Sequence, residues 1–183
     1  MLKDFQSEKL YYGFPIFVLG YQDAQFGYNV TTCSSSYSLG DQVVFGLSTY
    51  SHGAKEIIVH GKCSLNICGV EYLDIMEAAG YQHGVGKLAA GNIAYEVSDS
   101  LQVPYLPQAQ IVLFLTIEKV EEHAGAYHFI AKITERKVQE QAITSEGTLE
   151  AAALAPVFYV GDGAKRVYRT WSSQVRPTGG YWL

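Results

Sequence analysis

The 183 residues carry 18 acidic against 13 basic side chains, a formal charge of −5, with 48% hydrophobic and only 17% charged residues. That balance excludes a disordered chain and, with Lys and Arg scattered along it, a surface built to neutralise a phosphate backbone, so no nucleic-acid partner is expected. The 18 Gly, 14 Tyr and 8 Phe favour strands joined by tight turns over a helical bundle, and the length suits one globular unit with a sizeable core.

The first nine residues hold acidic side chains and no long apolar run, so no secretory signal is read there. No apolar stretch reaches the roughly 18 residues that a bilayer crossing needs. A cytoplasmic chain with no membrane partner is the expectation. Cys33, Cys63 and Cys68 are read as reduced thiols with no disulfide.

Phe14 to Tyr21 reads as a strand buried on both faces. Further strands are predicted over Tyr28 to Thr32 and Gln42 to Ser48, with a hydroxyl-rich loop between them. Ala54 to His60 is read as one or two helical turns closed by Gly61, followed by a strand over Lys62 to Cys68. Val70, Leu73, Met76 and Ala79 recur at threes and fours opposite Glu71, Asp74 and Glu77, which predicts an amphipathic helix over Val70 to Ala79, stopped by Gly80. A Gly-rich loop runs from there to about Asn92.

The longest strand signals are Ala109 to Glu122 and Tyr127 to Gln139, joined by His123-Ala124-Gly125-Ala126 as a hairpin turn. Pro156 to Val160 is the last strand, and Lys165 to Thr170 leads into a tail over residues 171–183. No repeat or linker interrupts the chain, so one domain over residues 1–183 is expected. The pattern suggests a mainly β protein, a closed antiparallel barrel with a helix over one end; a sandwich fits the same strands.

Several familiar motifs fail on context. Gly84-Val85-Gly86-Lys87-Leu88-Ala89 satisfies G-x-G-x-x-A, but a helix and not a strand precedes it. Tyr81 and Leu88 stand where a phosphate loop needs Gly and Ser or Thr. Gly46-Leu47-Ser48-Thr49-Tyr50 lacks the closing glycine of a nucleophile elbow. Cys63 and Cys68, five apart on a predicted strand, face opposite ways, so His60, Cys63, Cys68 and His83 make no zinc set and no metal is expected. The Asn29-Val30-Thr31 sequon has no meaning without secretion, and His123 and His128 read as solvated.

A hydroxyl cluster remains. Asn29-Val30-Thr31-Thr32-Cys33-Ser34-Ser35-Ser36 leaves a strand and enters a loop, offering neutral donors and backbone N–H groups that suit a phosphate monoester or a polar heteroaromatic edge. Ser48-Thr49-Tyr50-Ser51-His52, with Lys55, forms a second group after the next strand. Polar loops competing for backbone hydrogen bonds account for the same composition. If the two preceding strands are adjacent and antiparallel, the two groups need not share one end.

The order Phe14-Pro15-Ile16-Phe17-Val18-Leu19, Asn29-Val30-Thr31-Thr32-Cys33-Ser34-Ser35, Ser51-His52-Gly53-Ala54-Lys55-Glu56-Ile57 and Lys62-Cys63-Ser64-Leu65-Asn66-Ile67 resembles the flavin reductase-like, flavoredoxin-type proteins with an FMN-binding split barrel. Gly86-Lys87-Leu88 sits where that family commonly has an Asp-Lys-Phe-like segment, and Val167-Tyr168-Arg169 resembles its closing tyrosine segment. The resemblance spans about residues 11 to 170. It implies a homodimer with FMN near the subunit interface, held by Asn29, Thr31, Thr32, Cys33, Ser34 and Ser35, by Ser48, Ser51, His52 and Lys55, and by Lys87. It also implies an oxidoreductase in which NADH or NADPH gives hydride to FMN and the electrons pass onward. Catalytic side chains are left unassigned, because the flavin carries the redox chemistry. An FMN store or sensor without turnover is the alternative.

Overall fold

The computed structural model describes residues 2–7, 9–163 and 165–171. Its strands are β1 (Leu10–Pro15), β2 (Phe17–Asp23), β3 (Gly27–Cys33), β4 (Ser36–Leu39), β5 (Gln42–Ser48), β6 (Lys62–Ile67), β7 (Glu96–Val97), β8 (Pro104–Tyr105), β9 (Ile111–His123), β10 (Ala126–Val138), β11 (Val157–Asp162) and β12 (Arg166–Thr170). Three helices, α1 (His52–His60), α2 (Leu73–Tyr81) and α3 (Lys87–Ala90), lie between β5 and β7. The chain is mainly β, as its composition implies.

Seven strands form one antiparallel sheet in the order β3-β2-β6-β9-β10-β5-β4, and β1, β11 and β12 form a second. The hydrogen-bonded ladders do not close into the expected ring: β3 and β4 are the two margins of the large sheet. Those margins are nonetheless consecutive in the chain, separated only by Ser34 and Ser35, so they lie within about 11 Å of each other. Gly46 N–H of β5 donates to the Ser35 carbonyl at 2.9 Å, and the Cys33 thiol donates to the Gly46 carbonyl at 3.1 Å. The two groups of polar residues that follow β3 and β5 thus share one end of the sheet, and β3 and β5 are not ladder neighbours.

Alternation divides the sheet between two cores. Phe17, Leu19 and Tyr21 of β2 join Phe45, Leu115 and Phe129 in one, together with Ile57 of α1. Ile16 and Val18 join Val30, Val112 and Phe114 in the other, under Met76 and Ala79 of α2. Period-two geometry places adjacent residues on opposite faces, so β2 is buried on both. The same parity sends Cys63 to one core and Cys68 to the other, which keeps the two sulfurs from sharing an ion.

Most boundaries shift by a residue or two from expectation, and β12 follows the strand expected to be last, because Gly161 at positive φ lets the chain turn back to pair with β11. The single strand over Phe14 to Tyr21 is two, because the chain changes sheets after Pro15: Ile16 N–H donates to the Val157 carbonyl, on the β11 side. α1 starts two residues earlier than expected, since Ser51 caps it by accepting from Ala54 N–H at 3.3 Å. The amphipathic helix opens as a 3-10 turn over Val70–Tyr72 and runs through Gly80 to Tyr81. Gly80 continues the helix because α2 crosses β3 closely; a Cβ there would stand 3.3 Å from Thr32 Cβ. The loops held hidden order: Ser36–Leu39 pairs with β5, and Lys87–Ala90 is a short helix.

The hairpin turn is tighter than expected, with Ala124 and Gly125 both at positive φ between His123 and Ala126. Among the described residues no helix is long and apolar enough to cross a membrane. Of the tail over 171–183, Trp171 stacks on Phe158 with ring centroids 5.2 Å apart; Gly179-Gly180-Tyr181-Trp182-Leu183 lies outside the described residues.

Candidate functional site

Two adjoining cavities open where β3, β5, α1 and α2 meet. The larger, about 680 Å³, is bordered by Asn29, Thr31 and Thr32 of β3, by Ser48, by Ser51 and His52 at the start of α1, and by Lys87. The smaller, about 240 Å³, is bordered by Thr32, Cys33, Ser34, Ser35 and Ser48. Thr32, Leu47, Ser48 and Gly80 border both. Ten of the eleven sequence-predicted binding residues therefore converge on one continuous hollow. Lys55 does not: it is exposed and borders neither cavity, because α1 carries it a turn away from the helix start.

Convergence does not make every side chain free for a ligand. The Asn29 amide is 1% exposed and fully engaged. Its nitrogen donates to Asp23 Oδ2 at 3.0 Å and to the Val85 carbonyl at 3.2 Å, and its oxygen accepts from Val30 N–H and Lys87 N–H, each at 3.0 Å. It ties β3 to the segment before α3. Thr32 Oγ1 donates to the Met76 carbonyl at 2.5 Å, so toward a ligand its hydroxyl can only accept. Ser48 Oγ accepts from Tyr50 N–H at 3.3 Å and retains its own proton to donate.

Cys33 is a protonated thiol, its pKa raised by burial against a smaller opposing pull from the backbone of Ser35 and Ser34. Lys87 is 7% exposed, its ammonium donating to the Ala79 carbonyl at 2.5 Å. Burial lowers its pKa.

No sequence signal pointed to the residue that organises the larger cavity. Asp23 ends β2, is 3% exposed, and receives four hydrogen bonds: Gln25 N–H and Phe26 N–H on Oδ1, Asn29 Nδ2 and His52 Nε2 on Oδ2. Burial opposes its ionisation, but these donors together outweigh burial and hold the carboxyl below the ordinary aspartate range. An Asp two and three residues before the amides it accepts from is a turn signature, visible in sequence only as a turn. Ligand atoms of Asp23, His52 and Glu56 lie within 4.8 Å of one another, yet both Asp23 oxygens are already committed to these donors.

Gly53 shows why the start of α1 can border the cavity. A Cβ there would come within 2.9 Å of the Tyr21 ring and 3.1 Å of Thr31 Cγ2, so only glycine lets the helix settle against β2 and β3. With Ser51 as cap and no acidic residue in the first turn, the positive end of the helix dipole faces this region uncompensated from within the helix. Neutral hydroxyls, a helix start, the imidazoles of His52 and His83 and one buried ammonium make an arrangement able to hold an anionic group at one end and a polar flat ring at the other.

At the level of sequence, no protein-family model and no curated protein matches the chain. Solved structures match its fold. Flavoredoxin of Desulfovibrio vulgaris (Miyazaki F) aligns with a TM-score of 0.87 at 18% identity, covering 99% of each chain. Flavoredoxin from Methanosarcina acetivorans aligns with a TM-score of 0.87 at 14% identity, over 99% of this chain and 97% of that one. An FMN-binding protein from Thermus thermophilus, solved with bound 1-cyclohex-2-enone, aligns with a TM-score of 0.78 at 15% identity, over 97% of each chain. The mainly β fold expected from the resemblance is thus observed across nearly the full length of these proteins, without the closed ring of strands.

Proposed function

We propose that this chain is an FMN-binding flavoprotein oxidoreductase of the flavin reductase or flavoredoxin type, taking hydride from NADH or NADPH and passing electrons onward. One observation carries the reading: polar residues from β3, β5, α1 and α3, up to 58 positions apart, border a single hollow. Its fold is shared with flavoredoxins and with an FMN-binding protein.

The residues present fit the group. A cavity of about 680 Å³ falls within the roughly 300–1,000 Å³ of small-molecule and cofactor sites. The start of α1, with Ser51 and His52, suits a phosphate, and Asp23 fixes the imidazole there by a 2.8 Å hydrogen bond. Ser34, Ser35 and Ser48 offer neutral hydroxyls and amides for the polar edge of a ring, and the Cys33 thiol, kept protonated by burial, adds no negative charge there. When bound, the flavin supplies the hydride-accepting centre, and the side chains named supply placement. Asn29 and Lys87 act as positioning residues: the Asn29 amide holds the start of α3 and the segment before it against β3, and the Lys87 ammonium ties α3 to the Ala79 carbonyl of α2.

The same proposal includes a cytoplasmic protein of one domain over residues 1–183 that works as a homodimer. Supporting the dimer, Tyr37 and Leu39 on the marginal strand β4 expose 60% and 72% of their surface, and Tyr50, which borders the larger cavity, exposes 92%. Anaerobic mixing of the purified protein with NADH or NADPH tests the function. A yellow protein whose flavin band bleaches is the expected result; a band that persists leaves binding without turnover and overturns the reductase.

A further inference from the structure

The smaller cavity has a second wall that the flavin reading does not use. It is built by Lys9 and Tyr11 at the start of β1, Tyr81 at the end of α2, Tyr159 on β11 and Arg166 on β12. The two cations sit over aromatic faces: Lys9 Nζ is 4.8 Å from the Tyr11 centroid, and Arg166 Cζ is 5.7 Å from Tyr11 and 5.9 Å from Tyr159. Behind this wall Tyr159 stacks on Tyr168 at 5.1 Å, and Tyr168 donates to Glu77 Oε1 at 2.9 Å.

The charge of this wall runs against that of the molecule. The chain is acidic by five charges, yet among the described residues bordering this cavity there are two cations and no Asp or Glu. Across from the cations stand hydroxyls, backbone, Leu47 and one protonated thiol, all uncharged. Tyr81, exposed at the rim, offers a surface for a flat ring, and the cations stacked over Tyr11 and Tyr159 attract a negative group on it. Guanidinium geometry matches a carboxylate in bidentate fashion. At about 240 Å³ this end of the hollow is smaller than the roughly 300–1,000 Å³ of small-molecule sites and suits one ring.

We propose that this cavity binds an aryl carboxylate, a planar one-ring acid whose carboxylate is held by Arg166 and Lys9 and whose ring lies beside Tyr81. Its placement beside a flavin, as the second ligand of an electron-transferring site, rests on the function proposed above; the binding of the anion does not.

Isothermal titration of the purified protein with benzoate, and in parallel with the neutral isostere benzamide, decides it. Benzoate is expected to bind at least about tenfold more tightly than benzamide, and Arg166→Gln and Lys9→Gln each to cost about tenfold in benzoate affinity, the loss of one charge-assisted hydrogen bond. Flavin content stays unchanged in both variants. Equal affinity for the two probes, no binding of benzoate, or variants that bind benzoate as well as the parent overturn the proposal. So does flavin that leaves with either substitution or on adding benzoate, because the cations then belong to the flavin's own site. A protein that never retains FMN sinks the function above while the benzoate titration still stands or falls by itself.

Discussion

His52 Nε2 lies 2.8 Å from Oδ2 of Asp23, a carboxylate 29 positions earlier in the chain and almost wholly buried. The imidazole itself is half exposed, with 51% of its side-chain surface accessible. One partner is anchored in the protein and the other reaches toward the cavity, so the pair transmits the rigidity of the β2–β3 turn to the start of α1.

Asp23 makes the fold acid-sensitive. Its folded pKa is depressed, so its contribution is fully present above the unfolded aspartate value of about 3.9 and is lost as the pH falls through the lower folded value. Asp23→Asn is expected to flatten the decline of melting temperature below about pH 4 relative to the parent. Parallel profiles would falsify the assignment.

His52→Ala should separate phosphate recognition from ring recognition. Because the imidazole is half exposed, its loss is expected to cost only about 1 kcal/mol of FMN affinity, while riboflavin affinity stays level. Equilibrium dialysis of the two flavins measures the difference. Ser51→Ala removes the helix cap as well, and is expected to lower stability by about 1 kcal/mol in urea.

Thr32→Val and Ser34→Ala are expected to behave differently. Ser34→Ala weakens FMN retention by about 1–2 kcal/mol per lost hydrogen bond with little change in stability. Thr32→Val also strips the Met76 carbonyl of its 2.5 Å donor, so it lowers stability by about 1 kcal/mol besides. Paired measurements of cofactor content and denaturation midpoint check both.

Lys87→Met is expected to hold or raise the melting temperature at neutral pH. Burial depresses the folded pKa of Lys87, so the protonated amine costs stability, and that cost fades as the pH rises through the folded value toward the unfolded one. The advantage of the Met variant therefore narrows as the pH rises from neutral toward the ordinary lysine value of about 10.4. An advantage that widens over that range argues against the burial account.

Gly20→Ala is expected to destabilise by about 1–3 kcal/mol, measured by chemical denaturation. A Cβ there collides with the Pro104 carbonyl and meets Ser64 Oγ at 2.6 Å, two groups already joined by a 2.5 Å hydrogen bond. Neither can retreat, because Asn66 Nδ2 donates to Ser64 Oγ and its oxygen accepts from Leu106 N–H.

What the sequence made legible follows from periodicity. β5 is predicted to the residue, and β9 and β10 nearly so, because one face of each alternates cleanly. The break between β1 and β2 was invisible, since both are apolar on both sides and only Pro15 marks the change of sheet. β4 was hidden because Ser-Tyr-Ser-Leu on a sheet margin carries no core face; its residues are largely exposed. At the site, the hydroxyls could be read because they cluster in sequence. Asp23, Tyr81, Tyr159 and Arg166 could not, because folding alone assembles them, and nothing local distinguishes them from other turn, helix-end or strand residues.

Ser34 and Ser35 are the whole of the chain between the two margins of the large sheet. A molecule seated against them fastens both margins at once and works as a clasp on a hoop. Occupancy and mechanical cohesion are therefore one equilibrium viewed from two sides: a ligand at a hundred times its dissociation constant adds about 2.7 kcal/mol to the work of springing the hoop open, and whatever loosens the hoop lets the ligand go.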